Sequence, residues 1–229
     1  MMSYLATNSR CDIAFAVNQC TRYSINPTVK HATAMKRIGK YLKKTRLKGM
    51  TMKPNQDLTL DLDMDADFAG LWSYEDPHDP SSVRSRTGYV IILGGVPIIW
   101  KSKLQEQVAL STMEAEYIAA STAMKALVYL RRTHHEICTA INLPYNAESN
   151  VSTIFEDNRA ALLLATTDPP RLTPRSKSIA VKYHWFREHL KKGSIVMKSV
   201  DSARNRANIL TKPLKPDTFR TERFFTMGF

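Results

Sequence analysis

Three acidic residues that lie far apart in the sequence have the types and predicted positions of ligands to divalent metal ions. Asp65 lies at the end of one predicted strand, Glu116 in a predicted long helix, and Asp157 at the end of another predicted strand. Carboxylate oxygens are hard ligands that suit Mg²⁺ and Mn²⁺. Two such ions about 4 Å apart stabilise the attacking and the leaving oxygen of a phosphodiester. The three residues therefore point to phosphodiester hydrolysis or transfer.

The charge of the 229-residue chain is distributed in three blocks. The formal net charge is +12 overall, with +10 on residues 1–53, −8 on residues 54–168 and +10 on residues 169–229. Basic flanks favour a polyanionic partner such as nucleic acid, although a high net charge also serves solubility. The acidic middle block contains all three candidate ligands, which fits a place where cations are held.

Composition excludes several classes of protein. With 43% hydrophobic and 24% charged residues, the chain has a globular composition. Its longest apolar stretch, residues 88–100, is too short for the roughly 20 helical residues that span a bilayer. The first residues lack the pattern of a signal peptide, and three scattered cysteines do not form a disulfide framework. We therefore expect an intracellular, reducing environment and no membrane. No glycine-rich phosphate loop, nucleophile elbow or dinucleotide fingerprint is found, so no small-molecule cofactor is expected.

The elements that must position the three acids follow from hydrophobic periodicity. From Leu58 the period is two, which predicts a strand whose polar face carries Asp61, Asp63 and Asp65. We interpret Asp61 and Asp63 as solvated, or as neighbours that raise the local negative potential. A Gly94-Gly95 turn predicts a hairpin between two further strands. The predicted strands are 58–65, 87–93, 96–103, 151–155 and 195–200, and the helices that follow the hairpin are 111–139, 158–165, 178–192 and 203–212.

This order predicts an α/β fold in which a mixed sheet is flanked by helices. The first three strands are expected to be antiparallel. Before them, an amphipathic basic helix begins after Pro27 and Thr28 and ends before Gly49. Its apolar face carries Ala34, Ile38, Tyr41 and Leu42. A turn at residues 54–57 separates this N-terminal helical segment from the sheet and predicts a domain boundary there.

Several strings closely resemble the ribonuclease H domain of copia-type long-terminal-repeat retrotransposon polyproteins. They are SRTGYVIILGG, PIIWKSKLQ, STMEAEYIAAS, FEDNRAALLLA and ANILTKPL. The strings SYLATNSRCDIAFAVNQCTRYS and KRIGKYLKKT resemble the end of that family's reverse transcriptase domain. The resemblance implies a ribonuclease H-like five-stranded sheet in residues 54–229, with a core at about 58–212, preceded in residues 1–53 by the C-terminal part of a reverse transcriptase. The paired aspartates of the polymerase are absent, so no DNA synthesis is expected.

The resemblance also implies a set of four acidic metal ligands. Asp65 matches the first and Asp157 the third. Both Glu114 and Glu116 are available as the second. Glu116 is favoured because Ala119 follows it at the family's spacing, whereas Glu114 occupies a capping-box position after Ser111. The ligands are expected to hold two Mg²⁺ or Mn²⁺ ions.

At the fourth ligand position this chain departs from the family, because Asn208 stands where relatives have Asp. An Asn keeps a ligand oxygen but lacks the charge, so the second ion would be held less tightly. Ser178 and Ala180 also replace the His and Asp that are usual in relatives. Two hypotheses follow. The chain is a ribonuclease H with activity weakened at Asn208, or it is a catalytically inactive nucleic-acid-binding remnant.

The implied substrate is the RNA strand of an RNA/DNA hybrid, cleaved by an activated water to give 5′-phosphate and 3′-hydroxyl ends. The rest of the reverse transcriptase is the implied partner, in a cytoplasmic virus-like particle or the nucleus. A transposase or integrase of the same broad fold would need a closing Glu such as Glu188, but the copia strings argue against it. The candidate contacts to the nucleic-acid backbone are Arg86, Thr87, Lys101, Ser102, Lys103, Asn158, Arg171, Arg175 and Lys177.

Overall fold

The computed structural model describes residues 1–55, 58–72, 74–75, 78–143, 150–167, 179 and 183–229. Five strands and seven α-helices lie in these ranges. The strands are β1 Leu60–Asp67, β2 Arg86–Leu93, β3 Val96–Leu104, β4 Ser152–Glu156 and β5 Ile195–Ser199. The helices are α1 Met2–Asn8, α2 Ala14–Thr21, α3 Val29–Lys44, α4 Thr112–Ala140, α5 Arg159–Thr166, α6 Arg187–Lys191 and α7 Pro216–Met227.

The five strands form one mixed sheet in the order β3-β2-β1-β4-β5. The pairs β1–β2 and β2–β3 are antiparallel, whereas β1–β4 and β4–β5 are parallel. The hairpin between β2 and β3 turns at Gly94 and Gly95, whose φ angles of 55° and 88° favour glycine. The sheet confirms the predicted ribonuclease H-like α/β fold.

One face of the sheet is covered by the long helix α4 together with α5 and the segment that leads into α6. Leu62 and Met64 of β1 are fully buried there against Tyr117 and Met124 of α4. The start of α4 is fixed by Ser111, whose hydroxyl accepts a hydrogen bond from the Glu114 backbone N–H at 3.2 Å. This confirms the predicted helix and its N-terminal cap.

The opposite face is covered by the N-terminal helices and by the C-terminal part of the chain. Val90, Ile92 and Trp100 pack in one buried cluster with residues of α2, α3 and α7. The Trp100 indole N–H donates to the Ala6 carbonyl at 2.6 Å. Because Ile38 is the buried residue of α3, the predicted apolar side of that helix is the side that faces the cluster. Residues 1–53 therefore pack as a layer on the sheet. Among the helices in the described part of the chain, none is both long and apolar enough to cross a bilayer.

The predicted helix 203–212 is wrong. The chain forms two short 3-10 helices there, Ser202–Arg204 and Asn208–Leu210. Between them the Asn205 side chain donates to the Met64 carbonyl at 2.6 Å and accepts from the Ala207 backbone N–H at 3.0 Å. An Asn that bonds nearby backbone competes with helical hydrogen bonds, which explains the interruption.

The last helix, α7, was not predicted from the periodicity, although its ends carry clear signals. Pro216 occupies the first turn, and Gly228 ends the helix in the left-handed region at φ 81°. The predicted helix 178–192 is present only as α6 in the described residues. Residues 178 and 180–182 lie outside them, and residues 183–186 are not α-helical.

Gly88 of β2 allows the C-terminal segment to lie directly on the sheet. It pairs with Asp65 across β1 and β2. A Cβ atom at this position would lie 2.6 Å from the Thr211 Cγ2, 2.9 Å from the Leu210 Cβ and 3.1 Å from the Ala207 carbonyl oxygen. Such contacts are too short to form without movement, so any side chain at residue 88 would push the segment away from Asp65.

We predict that Gly88→Ala destabilises the protein by about 1–3 kcal/mol, the usual cost of overpacking a tight contact. Chemical denaturation followed by circular dichroism measures the change. Gly49→Ala is the matched control, since a Cβ at Gly49 meets nothing within 4 Å. Equal stability of the two variants would show that the segment does not press on Gly88.

Candidate metal centre

The parallel pairing of β1 and β4 brings Asp65 and Asp157 to the same end of the sheet. Asp63 of β1 lies opposite Phe155 of β4. Asp65 and Asp157 each lie two residues farther along, so both stand at the same level at the carboxyl ends of neighbouring strands. Asp65 is 2% exposed, and Asp157 is partly exposed.

Helix α4 adds Glu116 to the two aspartates. One carboxylate oxygen from each of Asp65, Glu116 and Asp157 can be chosen such that all three lie within 4.8 Å of one another. Glu114 has a different role, because its Oε2 accepts a hydrogen bond from the Leu110 backbone N–H at 2.8 Å. Of the two glutamates that the sequence left open, Glu116 is the one the fold places beside the aspartates.

Burial and mutual repulsion dominate the electrostatics of this acidic group. Burial raises the pKa of Glu116 well above its usual range, and the negative charges of Glu156, Asp65 and Asp157 raise it further. Burial also raises the pKa of Asp65, while Lys212 and Thr211 act in the opposite direction. In the absence of cations, the group therefore favours bound protons.

Glu156 belongs to the acidic group but was not predicted as part of it. It is 1% exposed, and its Oε1 accepts from the Asn158 backbone N–H at 2.8 Å. Burial raises the pKa of Glu156, and the charges of Asp157 and Asp65 add to this effect. The period of β4 carried the signal, since Ser152, Ile154 and Glu156 alternate on its buried side.

The C-terminal segment contacts Asp65 directly. The Thr211 hydroxyl hydrogen-bonds Asp65 Oδ2, and the Lys212 ammonium lies 3.4 Å from the same oxygen. Neither residue was singled out from the sequence, although both follow Asn208 in the string ANILTKPL. Together they orient the Asp65 carboxylate and offset part of its charge.

Asn208 lies behind this contact. It is 4% exposed, and its Nδ2 donates to the Ser202 carbonyl at 2.6 Å and to Glu222 Oε1 at 3.4 Å. Its Oδ1 is buried and has no hydrogen-bond partner among the described residues. The Thr211 hydroxyl, which bonds Asp65, also lies 3.1 Å from the Asn208 backbone carbonyl. Asn208 is therefore linked to Asp65 through one intervening residue, Thr211.

The two other aspartates of β1 are not equivalent. Asp63 is 3% exposed, so the interpretation that it is solvated is wrong; Arg206 lies 3.5 Å from its Oδ2. Burial raises the pKa of Asp63 to about 6 although Arg206 lowers it. Asp61 instead accepts a hydrogen bond from the Thr153 backbone N–H at 2.9 Å.

The predicted nucleic-acid contacts divide into buried and exposed residues. Arg86 is 2% exposed, and its guanidinium donates to Asn18 and Gln19 of α2 and to Ser102. Such a residue ties α2 to the sheet, and its burial does not support a phosphate contact. Thr87 and Ser102 are also buried; Thr87 accepts from Gln105, and Ser102 donates to the Leu210 carbonyl.

Lys101 and Lys103 alternate on β3 and are both exposed, which leaves them accessible. Asn158 caps α5, with its Oδ1 accepting from the Ala160 and Ala161 backbone N–H groups at 3.0 Å. The remaining three candidates, Arg171, Arg175 and Lys177, lie outside the described residues.

The donor set of the acidic group fits a divalent metal ion. All of its ligand atoms are carboxylate oxygens, the hard donors that Mg²⁺ and Mn²⁺ take. The Oε2 atoms of Glu116 and Glu156 are buried without a hydrogen-bond partner among the described residues. Buried unpartnered carboxylate oxygens are costly, and a cation would satisfy them. The acidic group could therefore hold a metal ion.

Known proteins resemble this chain over nearly its whole length. No protein-family model matches it. The Pol polyproteins of the Arabidopsis thaliana transposons RE1 and RE2 are each 32% identical to it over 219 residues, 96% of the chain and 14% of each polyprotein. That of transposon TNT 1-94 from Nicotiana tabacum is 33% identical over 218 residues, 95% of the chain and 15% of the polyprotein. The chain thus spans about one seventh of these relatives, and over most of its length it is a homologue of copia-type retrotransposon Pol polyproteins.

Proposed function

We propose that this chain is the ribonuclease H region of a copia-type Pol polyprotein and that it hydrolyses the RNA strand of an RNA/DNA hybrid. The observation that carries the proposal is the convergence of Asp65, Glu116 and Asp157, from three separate elements, within 4.8 Å. The fold and the homology to Pol polyproteins agree with it. The proposal includes two Mg²⁺ or Mn²⁺ ions.

Asp65, Glu116 and Asp157 would hold the ions. When bound, the ions supply the charge that activates a water and stabilises the departing 3′ oxygen, which leaves 5′-phosphate and 3′-hydroxyl ends. The chain's own residues prepare the site. Thr211 and Lys212 fix the orientation of Asp65. Glu116 holds a proton until a cation displaces it, because its pKa is raised.

A basic groove supports the proposed substrate. It has a volume of about 320 Å³ and lies between the β2–β3 hairpin and α4. Three lysines line it, Lys101, Lys103 and Lys125, together with Thr87 and one acid, Glu106, which lies 3.1 Å from Lys103. Gln105 also lines the groove and donates to the carbonyl of Ala115, the residue before Glu116, at 2.8 Å, so the groove begins close to the acidic group. Lysines along such a groove suit a phosphate backbone that leads to the site.

We further propose that residues 1–53 are the end of the polyprotein's reverse transcriptase region and residues 54–229 its ribonuclease H region. Matches to the relatives run through both parts. The bonds from Trp100 to α1 and from Arg86 to α2 tie the two parts together. The rest of the reverse transcriptase is the proposed partner, and a virus-like particle or the nucleus the proposed location.

Asn208 supports a second candidate function. Its neutral amide provides no charge where a fourth ligand is implied, which favours a nucleic-acid-binding protein without cleavage activity. The two functions differ in whether the natural chain cleaves a hybrid at all.

We predict that Asp65→Asn lowers cleavage of a labelled RNA/DNA hybrid in Mg²⁺ or Mn²⁺ by about 100-fold or more, because it removes the charge of one of the three carboxylates that would hold the ions. Asp61→Asn is the matched control on the same strand, since an amide oxygen there still accepts from Thr153. Equal activity of the Asp65→Asn variant and the natural protein would contradict the proposal. Cleavage by Asn208→Asp but not by the natural protein would establish the second candidate.

We predict that Mn²⁺ binds more tightly as the pH rises from 6 to 9. The raised pKa of Glu116 means that the metal-free protein retains a proton there, and the metal must displace it. The affinity should rise by up to about tenfold per pH unit for each proton released. Calorimetry in two buffers of different ionisation enthalpy measures both the affinity and the protons released. A pH-independent affinity without proton release would show that the metal displaces no proton from Glu116.

We predict that the double variant Lys101→Ala/Lys103→Ala weakens hybrid binding and makes the salt dependence shallower. For each phosphate that a lysine no longer neutralises, the slope of log affinity against log salt becomes shallower by about one. Fluorescence anisotropy over a salt series measures the slope. The control is Lys192→Ala/Lys198→Ala, which removes two exposed lysines near β5, at the other edge of the sheet. Equal slopes for the two variants would exclude β3 from the binding surface.

A further inference from the structure

Helix α7 carries a buried glutamate that the proposed mechanism does not use. Glu222 is 4% exposed. Its Oε1 accepts from Asn208 Nδ2 at 3.4 Å, and its Oε2 is buried without a hydrogen-bond partner among the described residues. A carboxylate buried with one bare oxygen is costly unless a positive charge or a proton compensates it. A purely structural role on α7 would be filled better by an apolar residue.

The charged groups that act on Glu222 are Asp65 of the acidic group and two neighbours of Asp65, Lys212 and Asp63. Lys212 attracts it, while Asp65 and Asp63 repel it. Lys212 also lies 3.4 Å from Asp65, so one ammonium serves both carboxylates. Glu222 is thereby part of the electrostatic environment of Asp65, although it is not one of the three carboxylates that converge within 4.8 Å.

Glu222 also orients the Asn208 amide. Asn208 Nδ2 is held from two sides, by the Ser202 carbonyl and by Glu222 Oε1. The amide nitrogen donates to these two acceptors, whereas Oδ1 is buried and has no hydrogen-bond partner in the described part of the chain. An amide oxygen in that state is available as a neutral metal ligand, and the Glu222 carboxylate beside the amide nitrogen adds negative charge to it.

We propose that Glu222 is a positioning residue that supplies, through Asn208, the negative charge that Asn208 itself lacks. It holds the amide so that Oδ1 can ligate a divalent cation bound at the acidic group, and it adds a further carboxylate to those that attract that cation. The inference rests on the proposed metal site. It assigns to α7, at the end of the described chain, a part in metal binding.

The test is Mn²⁺ affinity, measured by calorimetry on the full 229-residue chain. Glu222→Gln keeps the size of the side chain and removes its charge, and we expect it to weaken Mn²⁺ binding about 10- to 100-fold, as is usual for outer-shell changes. Asp217→Asn is the matched control. It removes an acidic charge from an exposed position on the same helix and should leave the affinity unchanged.

A variant that moves the negative charge from residue 222 to residue 208 distinguishes the positioning role of Glu222 from a packing role. In Asn208→Asp/Glu222→Gln the carboxylate moves to residue 208 while the number of acids stays the same. We expect Mn²⁺ affinity within about fivefold of the natural protein, a margin that includes loss of the Asn208 bond to Ser202. Asn208→Asp alone is the reference, because its new carboxylate tightens Mn²⁺ binding by itself. If Glu222 had only a packing role, the double variant would bind as tightly as Asn208→Asp; a positioning role predicts weaker binding than Asn208→Asp.

Unchanged Mn²⁺ affinity in a folded Glu222→Gln variant would overturn the inference. If that single variant does not fold, the double variant is compared with Asn208→Asp: weaker Mn²⁺ binding by the double variant supports the inference, and equal binding or failure to fold overturns it. The proposed function fails separately. If Mn²⁺ binding depends on Glu222 but no hybrid is cleaved, the inference stands and the ribonuclease activity does not.

Discussion

The burial of several carboxyl groups at one place is the constraint on which the rest of this structure depends. Asp65, Glu116 and Glu156 are almost fully buried, and Asp157 joins them at the end of the sheet. Removing such groups from water is unfavourable, and their mutual repulsion adds to the cost. A fold that keeps them together must supply protons or cations, and the raised pKa of Glu116 expresses that demand.

The surrounding elements bring these carboxyl groups together and supply the positive charge that offsets part of their repulsion. The pairing of β1 with β4 sets two acids side by side, and α4 brings a third. The absence of a side chain at Gly88 lets the segment that carries Thr211 and Lys212 reach Asp65. That segment is held in turn against the sheet by Asn205 and by packing with the N-terminal helices. The N-terminal layer thus supports the site from behind without contributing a carboxylate to the converging triad.

Much of this arrangement could be predicted from the sequence. Period-two alternation around Asp65, the Ser111 cap of α4 and the Gly94-Gly95 turn are local signals, and the structure contains all three elements. The order of strands and helices predicted the mixed sheet, and the family resemblance specified a ribonuclease H-like sheet of five strands and a set of four metal-ligand positions. Local patterns sufficed there because each of these elements is determined by its own residues.

The rest depended on contacts between distant parts of the chain. Asp63 lies on the polar side of its strand, yet it is buried because Arg206, far along the sequence, covers it. Arg86 is of a residue type that commonly contacts phosphate, but its guanidinium points inward and donates to Asn18 and Gln19. The helix predicted over residues 203–212 is interrupted because the Asn205 side chain donates a hydrogen bond to the Met64 carbonyl. Sequence periodicity cannot reveal a contact between residues this far apart in the chain. Glu222 could not be assigned a role without the position of α7.

The most direct measurement is an end-group analysis of the products formed from an RNA/DNA hybrid with radiolabelled RNA, incubated with the natural protein and Mn²⁺. Metal-dependent hydrolysis at the acidic group predicts RNA fragments with 5′-phosphate and 3′-hydroxyl ends, formed from the hybrid but not from single-stranded RNA or duplex DNA, and abolished by a chelator. Cleavage that survives the chelator, or that gives 2′,3′-cyclic phosphate ends, would contradict this mechanism. So would the absence of any product from a protein that binds both Mn²⁺ and the hybrid.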